Sequence, residues 1–483
     1  MNINIPIAIA RDEWRYWARS KLALFSCLIA GLLIVASLVS TVARIESERV
    51  TREGFQEQAR ETFESQPARH PHRMVHYGHY VFRVPAPLSL IDPGVDAHTG
   101  TVMFLEGHRQ NSAVFSPRYA SAQAGPYAEL SPAFAYQVLL PLLLIVLGFA
   151  AIPREREART DYLLYAAAVT PTQVWLGKSL ALAGAACAGL APLVIGLVIA
   201  LSAGESLLIA AYMLAGYALY LFAWVFLVTA VSAWCTRAST ALALLLACWT
   251  LLCVITPPVA ATAAQTLAPM GGKIATDLAV VRALRDTGDG HNANDPAFAK
   301  LRAQLLEQYG VDDVADLPVN FRGMVAQWSE AKQTEIMNVF ADEKMASEAA
   351  QSEVVRWLSL LSPALAFENF SKITAGTDLS QHHAFLRDAE RVRFDFVQKL
   401  NNIHAEKLPF ADDMQRGSSP EAERRTRMSA ANWRMLEEVT TQPQTALVRI
   451  SASLPQLLIA LLWCVVTACI GFLRMNRRLQ DAV

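Results

Sequence analysis

The stretch GFAAIPREREARTDYLLYAAAVTPTQVWLGKSLALAGAACAG, residues 148–189, leaves one apolar run and enters the next. Between the runs Arg154, Arg156 and Arg159 alternate with Glu155 and Glu157, and an apolar patch from Leu163 to Val169 is stopped by Pro171. Trp175 marks an interface and Gly177-Lys178 opens the next run. Basic residues at the mouths of two membrane spans hold a short loop on the cytoplasmic side. An amphipathic patch such as Leu163–Val169 is too apolar to leave solvated and wants a partner's groove. The competing reading is an ordinary basic loop that only obeys the charge rule.

The rest of the chain bears on that choice. Its 483 residues are 53% hydrophobic with a mean hydropathy of +0.27, too apolar for an ordinary soluble protein. The 42 Lys and Arg against 43 Asp and Glu argue against nucleic acid as a partner. Apolar residues gather in blocks of about 20 or more, the length that crosses a bilayer core at 1.5 Å per residue. Six such spans are expected, at residues 22–43, 132–152, 174–202, 207–234, 239–264 and 450–473. Residues 1–21 carry Arg11, Arg15, Arg19 and Lys21 around Trp14, Tyr16 and Trp17, the composition of a helix lying in the cytoplasmic interface. A cleavable signal peptide is disfavoured by this long leader. The tail 474–483 begins with Arg474, Arg477 and Arg478, which place it inside. The segment 153–173 is then a cytoplasmic loop, and 44–131 and 265–447 are exported insertions.

Their compositions differ. The first continues the span as a charged helix, then turns to Pro, Gly, aromatic and β-branched residues that predict short extended segments. The second predicts helices from Asp295-Pro296 through Tyr309, from Phe321 to Leu361, and after Asp378, where Leu379, Phe385, Leu386, Ala389, Val392, Phe396, Leu400 and Ile403 mark one packed face. The fold class expected is an all-α polytopic membrane protein of six transmembrane helices with both termini cytoplasmic. Of its two exported insertions, the first is small and mixed α/β and the second is mainly long helices.

Segment 153–178 resembles the coupling segment of ABC-2-type permeases, which docks onto a separate ATPase. The resemblance rests on Arg154, Glu155, Arg156, Glu157, Thr160, Leu163, Leu164, Pro171, Gly177 and Lys178. More narrowly, the words HPHRMVHYGHYVF, PLSLIDPGV, FLEGHRQ and SPALAFENFSKITAGTDLSQHHAFLRDAERVR resemble the bacterial ABC permeases with a DUF3526 domain, distantly similar to gliding-motility and copper-enzyme-maturation permeases. The resemblance implies a bacterial inner-membrane exporter subunit that binds no cofactor itself, with ATP and Mg on the partner ATPase. It also implies a dimer, with a second copy or a sister permease. A mechanotransmission subunit that drives a periplasmic protein without moving a substrate is the alternative.

The residues themselves exclude most enzyme classes. Leu176-Gly177-Lys178-Ser179 looks like the end of a phosphate-binding loop, but Thr172 stands where that loop needs Gly. No protease motif occurs in the spans. In the fourth span Tyr212, Tyr217 and Tyr220 either line a translocation path or pack against neighbouring helices. All seven cysteines lie in or beside spans, whereas all ten histidines lie in the two insertions. His76, Tyr77, His79, Thr377, Asp378, His382 and His383 are candidates for recognition by the exported domain. No metal site is expected, since the spacing of His70, His72, His76 and His79 matches no standard zinc motif. On an extended strand His70, His72 and His76 would share a face, which keeps convergence on a metal as the alternative.

Overall fold

A computed structural model describes residues 4–114, 130–285, 287, 290–439 and 443–481. Six helices are long and apolar enough to cross a membrane: Lys21–Glu64, Pro132–Glu157, Pro171–Ser202, Leu207–Trp234, Ala238–Leu267 and Ala446–Arg477. The protein is a helical membrane protein. The amphipathic helix Asn4–Arg19 buries Pro6, Ala10, Glu13 and Trp17, a stripe spaced by three or four residues, against the second and third spans. Trp17 Nε1 donates to the Leu147 carbonyl at 3.1 Å. This helix, the segment 153–170 and the end of the sixth span, where Met475 packs on Trp175, lie at one end of the bundle. The side chain of Arg478 lies outside the described residues.

Proline shapes the spans, and the carbonyls it orphans find side chains. Pro141 has no N–H for the Gln137 carbonyl; the helix widens to a π turn over Ala135–Leu139 and the Tyr220 hydroxyl donates to that carbonyl at 2.7 Å. In the third span Pro192 follows a break at Leu190. There the Tyr136 hydroxyl wedges between Gly189 and Leu193, donating to one carbonyl and accepting from the other's N–H, both at 2.9 Å. Pro257 and Pro258 act similarly in the fifth span, which has a π turn over Thr250–Ile255.

The first span does not stop at a membrane's thickness. Ser20 caps it, and it runs unbroken for 44 residues, about 66 Å, of which a bilayer core accounts for about 30 Å. Its extension is stitched by Arg44–Glu48, Arg49–Glu53 and Arg60–Glu57 pairs at helical spacing.

At the opposite end from the Asn4–Arg19 helix, the two insertions fold into one domain. Strands β1 (His79–Phe82) and β2 (Val102–Leu105) pair antiparallel, with His79 opposite Leu105. Val81, Met103 and Leu105 of this hairpin pack on Phe385, Ala389 and Val392 of the helix Leu379–Lys407. A second shared core joins Phe63, Met74 and Val75 to Phe396, Val397, Leu400 and Trp433. The expectation of extended structure fails at His70, which caps a one-turn helix, Pro71–Val75. Proline at its first position favours that turn over a strand.

The second insertion is also not wholly outside the bundle. The helix Phe321–Leu358 descends beside the fifth span. At its foot Ser362 donates to the Leu252 carbonyl at 2.8 Å and Trp463 Nε1 to the Leu360 carbonyl at 3.2 Å, both midway along their spans. Pro363–Ala375 then climbs back between the fourth and sixth spans. This re-entrant hairpin fits where it does because Gly216 lets the Phe370 ring approach; a Cβ there would lie 2.2 Å from it. Trp357 and Leu361 point outward and are about two-thirds exposed, as lipid-facing residues would be.

Candidate functional site

The coupling-like segment is built as a projecting helix on a rigid frame. Glu155 and Arg156 belong to a single helical turn, Pro153–Glu157, that ends the second span. Arg156 donates to the carbonyls of Ala233, at 2.9 Å, and of Cys235, at the C-terminal end of the fourth span. Glu157 accepts from the Ala238 N–H at 3.0 Å, at the start of the fifth. Cation on a helix C-terminus and anion on an N-terminus both match the macrodipoles.

Beside this clamp lies a buried ion network. Lys178, from the third span, contacts Glu13 of the N-terminal helix and lies 3.0 Å from Glu155 Oε1. Arg154 reaches Glu13 at 2.6 Å while stacking 3.7 Å over the Tyr16 ring. Thr160 Oγ1 donates to Glu155 Oε2 at 2.5 Å. Gly177 has a separate role: a Cβ there would lie 2.6 Å from Ile9 Cβ and 2.9 Å from the Pro6 carbonyl. The Gly-Lys pair therefore admits the crossing helix and pins it by charge. Pro171 starts the third span behind a Thr170–Gln173 capping box.

On this frame stands the short helix Asp161–Ala166, none of whose residues is buried. Tyr162 and Leu163 are exposed and Leu164 is half-buried. Non-glycine residues in the left-handed region, Arg159 at φ 53° and Ala168 at φ 59°, bracket it. Such backbone costs on the order of 1–3 kcal/mol each and gathers at functional sites. Glu13 was missed in the sequence because it sits among interfacial residues with no motif around it.

The fourth-span tyrosines line no open path here. Tyr217 and Tyr220 are fully buried beneath the re-entrant helix: Tyr220 stacks on Phe367 at 4.4 Å, and Tyr217 shares a 2.8 Å hydrogen bond with Ser371. Tyr212 lies 5.3 Å from Phe370. Packing is their role in this structure.

In the insertion domain most of the candidate recognition residues hold the fold. Thr377 donates to the Asp92 carbonyl at 3.0 Å, Asp378 caps the helix Leu379–Lys407, and Tyr77 accepts from Gln66 at 2.6 Å. His383 lies 2.7 Å from Glu348. Burial pushes His382 and His79 down to about 4, the latter edge-on to Phe63. The histidines regroup in a way the strand reading did not foresee. On the helical turn His72 and His76 are four residues apart and face together, while His70 turns away to a buried trio with His404 and Asp413. His108 and His291, far apart in sequence, complete a cluster with His72 and His76. A lone histidine in each of two distant segments carries no sequence signal of convergence.

A wide cleft of about 870 Å³ also opens between the first span's extension and the hairpin, lined by Arg52, Phe55, Tyr80, Phe82 and Phe104 among others.

These features define a six-span membrane protein with one domain built from two insertions and a braced helix projecting at the other end. Residues 273–439 match the family described as Domain of unknown function (DUF3526), so the match covers most of the second insertion. No curated protein and no solved structure matches the chain.

Proposed function

We propose that the chain is the membrane-spanning permease subunit of an ATP-driven ABC-2-type exporter, powered by a separate ATPase that holds the ATP and Mg. The observation that carries this reading is the helix Asp161–Ala166, wholly unburied, with Tyr162 and Leu163 exposed. It stands on a frame tying the N-terminal helix to the second, third, fourth and fifth spans. A force applied to that helix reaches four spans through hydrogen bonds and ion pairs rather than through a slack loop. In this reading the braced end faces the cytoplasm of a bacterial inner membrane and the insertion domain faces the periplasm. Two permease copies, or this chain and a sister permease, sit on the two-fold ATPase.

A second reading is favoured by the re-entrant hairpin, which fills the space beside Tyr217 and Tyr220. In it the ATPase stroke passes through the long helices to a periplasmic partner and no substrate crosses.

Co-purification with the candidate ATPase in lipid nanodiscs tests the shared part. Changing Tyr162 and Leu163 to Ser should abolish ATPase binding while leaving the thermal stability of the chain unchanged, because both side chains are exposed. Binding that survives both changes overturns the assignment. Cross-linking the re-entrant helix to the fourth span then separates the two readings: export needs that packing to open, whereas transmission does not.

A further inference from the structure

The geometry points to a tetrahedral zinc site formed by His72, His76, His108 and His291, which clasps the first insertion to the second. One ring nitrogen from each of the four lies within 4.8 Å of the others. His72 Nε2 is 3.3 Å from His76 Nε2, which is 3.3 Å from His291 Nε2. Zinc–imidazole bonds of about 2.0–2.1 Å place the corners of a regular tetrahedron about 3.3–3.4 Å apart. Two of the six separations match that edge, and four imidazoles are a donor set that suits Zn²⁺.

The surroundings are those of a ligand set. His108 Nδ1 lies 2.9 Å from Glu330 Oε2, and the same carboxylate accepts the His108 backbone N–H at 3.1 Å. The backbone bond and the nearby carboxylate hold the His108 ring beside the cluster, and neither of its ring nitrogens makes a hydrogen bond. His108 also sits at φ 63°, in the left-handed region, which histidine enters more readily than most residues other than glycine. Behind His72, the His70 Nδ1 accepts the His72 backbone N–H at 3.1 Å, so the buried His70–His404–Asp413 trio holds the turn from which His72 projects. That trio is a brace and not a second metal site, since Arg416 and Arg322 stand 3.3 and 3.6 Å from the Asp413 carboxylate. His76 and His291 are exposed, so the ion enters and leaves from solvent.

Three ligands come from the insertion between the first and second spans and one from the insertion between the fifth and sixth. Zinc binding therefore tightens the contact between them. The assignment is independent of whether the chain exports a substrate.

The test uses the full chain in nanodiscs, purified with a tag free of histidine. After chelator stripping, reloading with Zn²⁺ and gel filtration against an equimolar chromophoric chelator, the wild type should retain about one zinc per chain. His76→Ala and His291→Ala should each lower the retained zinc about tenfold or more, and His382→Ala should not. Both replaced side chains are exposed, and metal-free melting should match the wild type. Cobalt loading should give the intense visible bands of a tetrahedral site, and added zinc should raise the melting temperature of the wild type only. A wild type that retains no more zinc than His76→Ala, equal loss in His382→Ala, or the weak spectrum of six-coordinate cobalt would each overturn the site.

Discussion

Replacing Arg393 by Met should unlatch the core of the insertion domain. The guanidinium is 1% exposed and makes five hydrogen bonds: two to Glu390, at 2.8 and 2.7 Å, one to Glu330 at 2.5 Å, one to Thr334 at 2.9 Å and one to the Glu106 carbonyl at 3.4 Å. Five N–H groups are all that arginine has. Glu330 is fully buried, so methionine removes the guanidinium that balances its charge. Breaking a buried pair from one side costs about 3–5 kcal/mol. Hydrogen exchange on the full chain reads this directly, since local opening of the helix Leu379–Lys407 sets the exchange rate of its amides. Exchange there should accelerate roughly a hundred- to several-thousand-fold. The double variant Arg393→Met with Glu330→Leu should recover much of the loss, because it removes the stranded charge as well. Acceleration of the single variant below about fivefold, or no recovery in the double, would refute the account.

Three further outcomes can be checked. Gly177→Val should push the N-terminal helix off the third span, at a cost of about 1–3 kcal/mol, seen as faster proteolysis near Arg19. Tyr136→Phe deletes the hydroxyl that bridges Gly189 and Leu193 and should destabilise the bundle by about 1–2 kcal/mol, read as thermal melting in nanodiscs. Burial raises Asp96 to about 6, despite Arg83 beside it. A raised carboxyl contributes stability that is complete below its unfolded value near 3.8 and is lost as pH rises through about 6. The insertion domain should therefore lose up to about 3 kcal/mol across that window, and Asp96→Asn should flatten the slope.

The spans were legible because nothing but a membrane asks for six such apolar runs, and their length is read directly at 1.5 Å per residue. The packed face of the helix after Asp378 was legible for the same kind of reason: Phe385, Ala389, Val392 and Phe396 repeat at helical spacing and are buried. The re-entrant hairpin was not. Pro363–Ala375 has 13 residues and carries Glu368 and Lys372, too short and too polar to read as membrane-embedded; its fit depends on Gly216 in another helix. The histidine cluster was half visible. A period of two pairs His72 with His76, as the structure does, but it adds His70, which the helical turn begun by Pro71 sends elsewhere. Nothing local marks His291 as their neighbour. Glu13 is similar: only the depth of Lys178, reached through Gly177, shows that a carboxylate must wait for it.

The unbroken helix Lys21–Glu64 has a geometric consequence. It starts at the Ser20 break, next to the ion network, and its last turn sets Phe63 inside the shared core of the insertions. A rod of about 66 Å that tilts by about 5° about its foot displaces its tip by about 6 Å, more than one helical turn. A small tilt of this rod at its foot would thus become a shift the size of a side chain at Phe63.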